Sequence, residues 1–181
     1  MPSIQSFAVA AGTWQNFYLL VGTAAATLVG LMFVAVTFGA SVVKPETADT
    51  ARSFLDPTFA HFVHVLFTAC LMVIPSMGPK LLGALLLLVS ALRTLRLRTI
   101  YRHMRAAHRR AGDIEASDWA TGIAIPLICY LLLAVTGVGF VMGYAVAFEL
   151  LAAVTIVTLM NGVLGAWELM VWIAITRAGA K

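Results

Sequence analysis

The chain has 181 residues, of which 61% are hydrophobic and 11% charged, and its formal net charge is +4. Ordinary soluble domains carry about 25% charged residues, so this composition excludes a water-soluble domain and indicates a protein surrounded by lipid. Net positive charge is also found in nucleic-acid-binding proteins. Here no stacking aromatic residues or recognition motif accompany the basic residues, so we expect no nucleic-acid partner.

Five long apolar stretches predict an all-α transmembrane bundle, formed by a single integral membrane domain over residues 1–181. Short cytoplasmic loops retain Lys and Arg, and this rule places eleven of the twelve basic residues on one side and Lys80 on the other. The N-terminus is then outside, the C-terminus is cytoplasmic, and the third helix extends into the cytoplasm. The predicted spans cover about residues 17–43, 57–75, 80–98, 119–142 and 144–175.

The first span carries aromatic residues at its start and small residues along one face. Trp14 and Tyr18 have amphipathic rings of the kind found at the headgroup level. Gly22, Ala26 and Gly30 recur every four residues, which places them on one helix face. Small side chains let helices approach closely, so we expect a packing seam within the bundle or between copies of the chain.

Prolines predict where the second span begins and ends. Asp56 followed by Pro57 is a favourable helix start, because a carboxylate caps the helix and proline needs no amide hydrogen there. Pro75 to Pro79 predict a turn that separates the second span from the third.

The third helix is expected to continue beyond the membrane as one helix that ends near Ala111. Its extension, residues 93–111, is basic and amphipathic, which is typical of a segment that contacts anionic lipid headgroups. The residues expected to make these contacts are Arg93, Arg96, Arg98, Arg102, Arg105, Arg109 and Arg110.

The last two spans each carry a feature that predicts a distortion. Pro126 near the middle of the fourth span predicts a kink. The fifth span has more residues than a bilayer core of about 30 Å requires, so we expect it to tilt, to protrude or to break near Asn161 and Gly162.

Polar side chains within the apolar stretches form two stripes. His61, His64 and Thr68 share a face of the second span. Thr158, Asn161, Gly165 and Glu168 share a face of the fifth span. Both stripes lie near the predicted cytoplasmic ends. Ionisable groups in a bilayer need a partner or a wet cavity, so the two stripes predict a path for protons or small cations.

Two other interpretations of these residues remain open. Two imidazoles and a carboxylate suit Zn or Fe, which makes His61, His64 and Glu168 a weak metal-site candidate. Alternatively, the histidines bond to carbonyls or headgroups and Glu168 snorkels to the interface. No catalytic or cofactor-binding motif is present, so we predict no catalytic residues and no cofactor.

Two sequence segments resemble a known family. The segments are Gly30–Thr37 and Arg52–Phe62, and they are similar to those of a family of uncharacterised small bacterial multi-pass membrane proteins. The resemblance covers about a third of the chain. It implies a location in the bacterial inner membrane, but it implies no activity and assigns no functional residue.

The sequence therefore favours a channel or transporter-like protein that passes protons or small cations. Five helices leave little room for a water-accessible cavity within one subunit, so we expect a homo-oligomer. The alternative is a non-catalytic interaction or regulatory subunit that uses its basic helix, and a metal-binding membrane enzyme is the least supported class.

Overall fold

A computed structural model describes residues 4–39, 48–75, 77–111 and 124–179, and within these ranges all regular structure is helical. This confirms the all-α prediction. The helices in chain order are α1 (Ile4–Gly39), α2 (Ala48–Val73), α3 (Pro79–Ala111), α4 (Ile125–Met142) and α5 (Val146–Gly179).

Four of these helices contain segments long and apolar enough to cross a membrane. The segments are Phe7–Gly39, Leu55–Val73, Ile125–Met142 and Val146–Thr176. Large apolar side chains cover much of their outer surface, and Leu20 is 70% exposed. Such a surface is stable in lipid and not in water, which indicates a membrane protein.

α3 is not among the four, because its apolar part is short. The apolar run from Leu81 to Leu92 is followed at once by Arg93 and Arg96. As predicted, α3 is nevertheless one continuous helix to Ala111.

The first two helices begin earlier than the sequence predicted. α1 begins at Ile4, so Trp14 and Tyr18 lie inside it and not at its start, and Tyr18 is completely buried. α2 begins at Ala48 and contains Pro57. A proline inside a membrane helix removes one backbone hydrogen bond, which neighbouring groups compensate, so it did not mark the helix start.

The predicted turn between α2 and α3 is confirmed, whereas the kink in α4 is not. α2 ends at Val73, and the amide of Met77 donates to the carbonyl of Ile74 at 3.3 Å before α3 starts at Pro79. Pro126 lies in the first turn of α4, where no intrahelical donor is required, and not in the middle of the helix. The preceding residues 112–123 lie outside the described residues.

α5 is continuous through Asn161 and Gly162, so the predicted break there is wrong. It follows α4 after a tight connection. Gly143 adopts φ 80°, a left-handed conformation that glycine tolerates, and the Tyr144 amide donates to the carbonyl of Gly139 at 2.9 Å. This arrangement ends α4 in the common glycine-capped form.

The chain divides into two compact units. Unit 1 contains Met1–Trp14 and Ile74–Val154, and unit 2 contains Gln15–Val73 and Thr155–Lys181. Each is described separately below.

In unit 1, α3 and α4 pack with their backbones in contact. A Cβ atom on Gly83 would lie 2.5 Å from the carbonyl oxygen of Gly137, so no larger residue fits. The Ser90 hydroxyl donates to the carbonyl of Tyr130 at 2.6 Å. Phe7, Phe140 and Phe148 form an aromatic cluster, with edge-to-face contact between Phe140 and Phe148 at 4.9 Å.

In unit 2, α2 packs against both α1 and α5. Met32, Phe62 and Leu169, one from each helix, form a buried apolar cluster. A Cβ atom on Gly22 would lie 2.8 Å from that of Ala69 in α2, so Gly22 provides a close approach between helices.

The other two members of the predicted small-residue seam do not share this contact. Ala26 and Gly30 are exposed, and a Cβ atom on Gly30 would have no neighbour within 4 Å. Only Gly22 of the three packs within unit 2.

Candidate functional site

The polar residues predicted on the second span are buried in unit 2, where α2 faces α5. On α2 the exposed fractions are 2% for Thr58, 7% for His61, 4% for His64 and 1% for Thr68. On α5 they are 2% for both Thr155 and Thr158, and Asn161 is half-buried. We call these seven residues, Thr58, His61, His64, Thr68, Thr155, Thr158 and Asn161, the polar row.

Helical periodicity explains why these residues share one interface. Thr58, His61, His64 and Thr68 are spaced by three or four residues, which places them on one face of α2. Thr155, Thr158 and Asn161 are spaced by three on α5. The rest of both helices is largely apolar, so the two polar faces are buried against each other.

Glycines on α5 allow the two helices to approach closely at the row. A Cβ atom on Gly162 would lie 2.7 Å from the ring of Phe62, and one on Gly165 would overlap the Thr58 hydroxyl. Both glycines therefore lie directly against α2 side chains. Larger residues at these positions would separate the polar faces.

His61 and Asn161 form a direct, partly buried polar contact across the interface. Nδ2 of Asn161 lies 3.3 Å from Nε2 of His61. The amide donates when this ring nitrogen carries no proton, and after a rotation its oxygen accepts when the nitrogen is protonated. The pair is thus able to accommodate both charge states of the imidazole.

The register of the contacts orders the other members of the row. Thr58 meets Gly165, and Phe62 meets Gly162, so the two helices run antiparallel. Continuing this register places Thr158 beside the level of His64 and Thr155 beside that of Thr68. At the same end, buried Tyr18 of α1 lies near Thr155, but its hydroxyl has no hydrogen-bond partner within the described residues.

Glu168 is not brought into the buried part of the row. Its side chain is exposed, as is that of the preceding Trp167. Glu168 is seven residues from Asn161, which places it on nearly the same face of α5 and about 10 Å further along the helix axis. The structure therefore places the carboxylate beyond the Thr58 end of the row.

The metal-site candidate gains no support from this arrangement. Within the described ranges, no three His, Cys, Asp or Glu residues are grouped so that they could hold a metal ion. His61 and His64 are buried whereas Glu168 is exposed, so these three do not form such a group.

The basic helix is described only at its start. Arg93 is half-buried, Arg96 is exposed, and both are close enough to Tyr130 to interact with it electrostatically. The side chains of the other arginines expected at headgroups lie outside the described residues, namely Arg98, Arg102, Arg105, Arg109 and Arg110.

Three residues that lie at the site were not predicted from the sequence, namely Thr58, Thr155 and Tyr18. Thr58 and Thr155 each precede a recognised polar residue by three positions, so the same periodicity could have identified them. Tyr18 had no such signal. Its contact with Thr155 depends on how α1 packs, which no local pattern in the sequence reveals.

Comparison with known proteins gives no match to any family model, any curated protein or any solved structure. The resemblance to uncharacterised bacterial membrane proteins therefore stays a prediction.

Proposed function

We propose that this chain moves protons across a membrane along the polar row. The observation that carries the proposal is the buried contact between His61 and Asn161 within a line of hydroxyl groups and a second imidazole. Hydroxyl and imidazole groups each donate and accept hydrogen bonds, so a proton can pass between neighbours without an ion of finite size moving.

The close packing of the row favours protons over other small cations. Gly162 and Gly165 lie directly against Phe62 and Thr58, which leaves no space for a hydrated ion between α2 and α5 at these positions. The buried members of the row also include no carboxylate to balance a metal cation. A proton needs only exchangeable groups that come within hydrogen-bonding distance in turn. The hydroxyls of Thr68 and Tyr18 have no partner at that distance within the described residues, so these side chains would have to rotate to complete the series.

The row and the groups at its two ends together support a path across much of a bilayer. Thr58 and Thr68 are ten residues apart on α2, about 15 Å along its axis, and exposed Glu168 lies beyond the Thr58 end. Buried Tyr18 lies near Thr155 at the other end, and a bilayer core is about 30 Å thick. Exposed Glu168 would collect or release protons at one end.

We further propose the bacterial inner membrane as the location, with five crossings, an outside N-terminus and a cytoplasmic C-terminus. The concentration of Lys and Arg on one predicted side supports this orientation. The backbone contact of α3 with α4 supports α3 as the fifth crossing, because α3 lies directly against a helix that can span. Exposed Ala26 and Gly30 would serve a homo-oligomer contact.

Proton flux into liposomes tests the proposal. Purified protein is reconstituted with an entrapped pH-sensitive dye, and flux is driven by a potassium diffusion potential. His61→Phe and His64→Phe should each lower proton flux roughly 100-fold, the lower end of the effect expected for a positioned proton-transfer group. His103→Gln, which changes a histidine of α3 in unit 1, is the matched control and should conduct normally.

Two results would reject the proposal. One is proton flux no higher than in protein-free liposomes, and the other is equal flux in the wild type and both row variants. Potassium flux measured in the same liposomes separates a proton path from a general cation channel.

A second candidate function is an interaction subunit that uses the basic helix. The unbroken course of α3 from its contact at Gly83 through the arginines to Ala111 favours it. Protein in liposomes should then capture anionic vesicles, and capture should weaken as salt is raised. Retained capture after all seven arginines are changed to Gln would contradict this function.

A further inference from the structure

Unit 2 contains a second feature that the polar row does not use, an apolar groove between α1 and α5. Its volume is about 950 Å³, and every lining side chain is apolar or aromatic. Phe62 of α2 forms part of its base. This volume is at the upper end of the range for small-molecule sites, about 300–1,000 Å³.

Small residues create the recess and large ones border it. Ala35 on α1 and Ala166 on α5 are half-buried and line the groove. Phe38 and Trp167 also line it, and each is 70% exposed, so the groove is open to the surroundings of the protein. At one end, Gly39 closes against Ile173, whose side chain would lie 3.0 Å from a Cβ atom on the glycine.

The groove lies entirely within segments able to span a membrane. Its lining residues belong to Phe7–Gly39, Leu55–Val73 and Val146–Thr176. An open groove at this position faces hydrocarbon, so the molecules available to fill it are lipid chains or another apolar helix.

Charge is distributed unequally around α5 near the closed end of the groove. Position 177 follows Ile173 by four residues, so its backbone lies on the groove face of the helix, about one turn beyond the last lining residues, and the sequence has arginine there. Glu168 follows Ala166 by two residues, about 200° around the helix, and so lies on the opposite face. The groove face of α5 therefore leads to a basic position, and Glu168 does not share that face.

We propose that this groove binds an anionic phospholipid, with an acyl chain between α1 and α5 and the phosphate headgroup at the level of Arg177. The apolar lining accounts for the chain, and the basic position at the end accounts for the headgroup. This lipid site uses residues of unit 2 alone, whereas the arginines of α3 belong to unit 1. It does not depend on proton movement.

Photo-crosslinking with defined lipids tests the proposal. The protein is reconstituted with phosphatidylglycerol that carries a photoreactive diazirine on its acyl chain, and labelled peptides are identified by mass spectrometry. Labels should concentrate on the α1 and α5 residues that line the groove. In Ala35→Phe and in Ala166→Phe, labelling of these peptides should fall about tenfold, because a phenyl ring fills the recess.

The matched control is Leu131→Phe, which enlarges an exposed residue on α4 in unit 1 and should leave groove labelling unchanged. The wild-type label map requires no variant, so a folding defect in a groove variant cannot mask the result. Arg177→Gln should reduce the preference for phosphatidylglycerol over phosphatidylcholine about fivefold, the contribution of one basic residue near an anionic headgroup.

Three outcomes would overturn the proposal. Labels spread equally over the groove and the exposed face around Leu131 would show that lipid has no preferred site. Equal labelling of the wild type by both lipids would remove the assigned headgroup. Cross-links between two copies of the chain at Ala35 would show that a second protein molecule occupies the groove.

Discussion

The two units bury their polar side chains in different ways. In unit 1, the buried serine and threonine side chains among the described residues are Ser90 and Thr136. Ser90 donates to the backbone carbonyl of Tyr130, and Thr136 donates to that of Leu132. In unit 2, the side chains of His61 and Asn161 bond to each other across two helices. Backbone bonding satisfies a polar group at little cost and needs no partner side chain.

The comparison separates hydroxyl groups that are compatible with tight packing from buried histidines, whose presence packing alone does not explain. An imidazole buried in a membrane is expensive, and an apolar residue would pack as well at the same position. Two such residues within one buried row are therefore better explained by function than by stability. Unit 1 shows that the same chain packs helices tightly without them.

The largest effect is expected where unit 1 has backbone contact. In Gly83→Ala the new methyl group would lie 2.5 Å from the Gly137 carbonyl, and backbone atoms cannot move aside easily. We expect a loss of about 3 kcal/mol in the free energy of unfolding, measured by denaturation in detergent micelles. Gly12→Ala in the same unit is the control, because nothing lies within 4 Å of a Cβ atom there and stability should not fall. Equal losses in both would show that the α3–α4 contact is not a close one.

A smaller loss is expected at the equivalent contact in unit 2. In Gly162→Ala the methyl group meets the ring of Phe62 at 2.7 Å, and a ring can shift where a backbone cannot. The expected cost is about 1–2 kcal/mol of unfolding free energy. Proton flux should fall as well, because the shift separates His61 from Asn161. Unchanged flux in a destabilised Gly162→Ala protein would contradict the link between packing and the row.

The bond between His61 and Asn161 should contribute less to stability than the Gly83 contact and no more than the Gly162 contact. Asn161→Leu should cost about 0.6–2 kcal/mol because His61 loses this partner, and the double variant with His61→Phe should recover most of that loss. Denaturation of the singles and the double in micelles measures this coupling, and strictly additive losses would contradict it. Ser90→Ala, which removes the bond across helices in unit 1, should cost about 0.6 kcal/mol and leave flux unchanged.

Sequence periodicity predicted the helices and the buried face of α2, because both depend on local spacing. Helix ends were less predictable. Pro57 predicts the start of the second helix there, although α2 begins at Ala48. Pro126 predicts a kink in the middle of the fourth helix, although it lies in the first turn of α4. The effect of a proline depends on where the helix begins, which the proline itself does not encode.

The composition of the site was only partly predictable, for a similar reason. His61, Asn161 and Thr68 were identified from their spacing, whereas the exposure of Glu168 and the burial of Tyr18 depend on contacts between helices far apart in sequence. The small-residue pattern likewise predicted a shared seam, yet only Gly22 packs in unit 2. Spacing defines a face of a helix, and tertiary packing decides what covers it.

The most direct test of the proton path compares two buried threonines in the same liposome assay. Thr68 is 1% exposed in the polar row, and Thr136 is completely buried in unit 1. Valine has nearly the same shape as threonine but exchanges no proton. Thr68→Val should reduce proton flux roughly 100-fold while Thr136→Val conducts like the wild type. Equal flux from the two variants would contradict the proposed path.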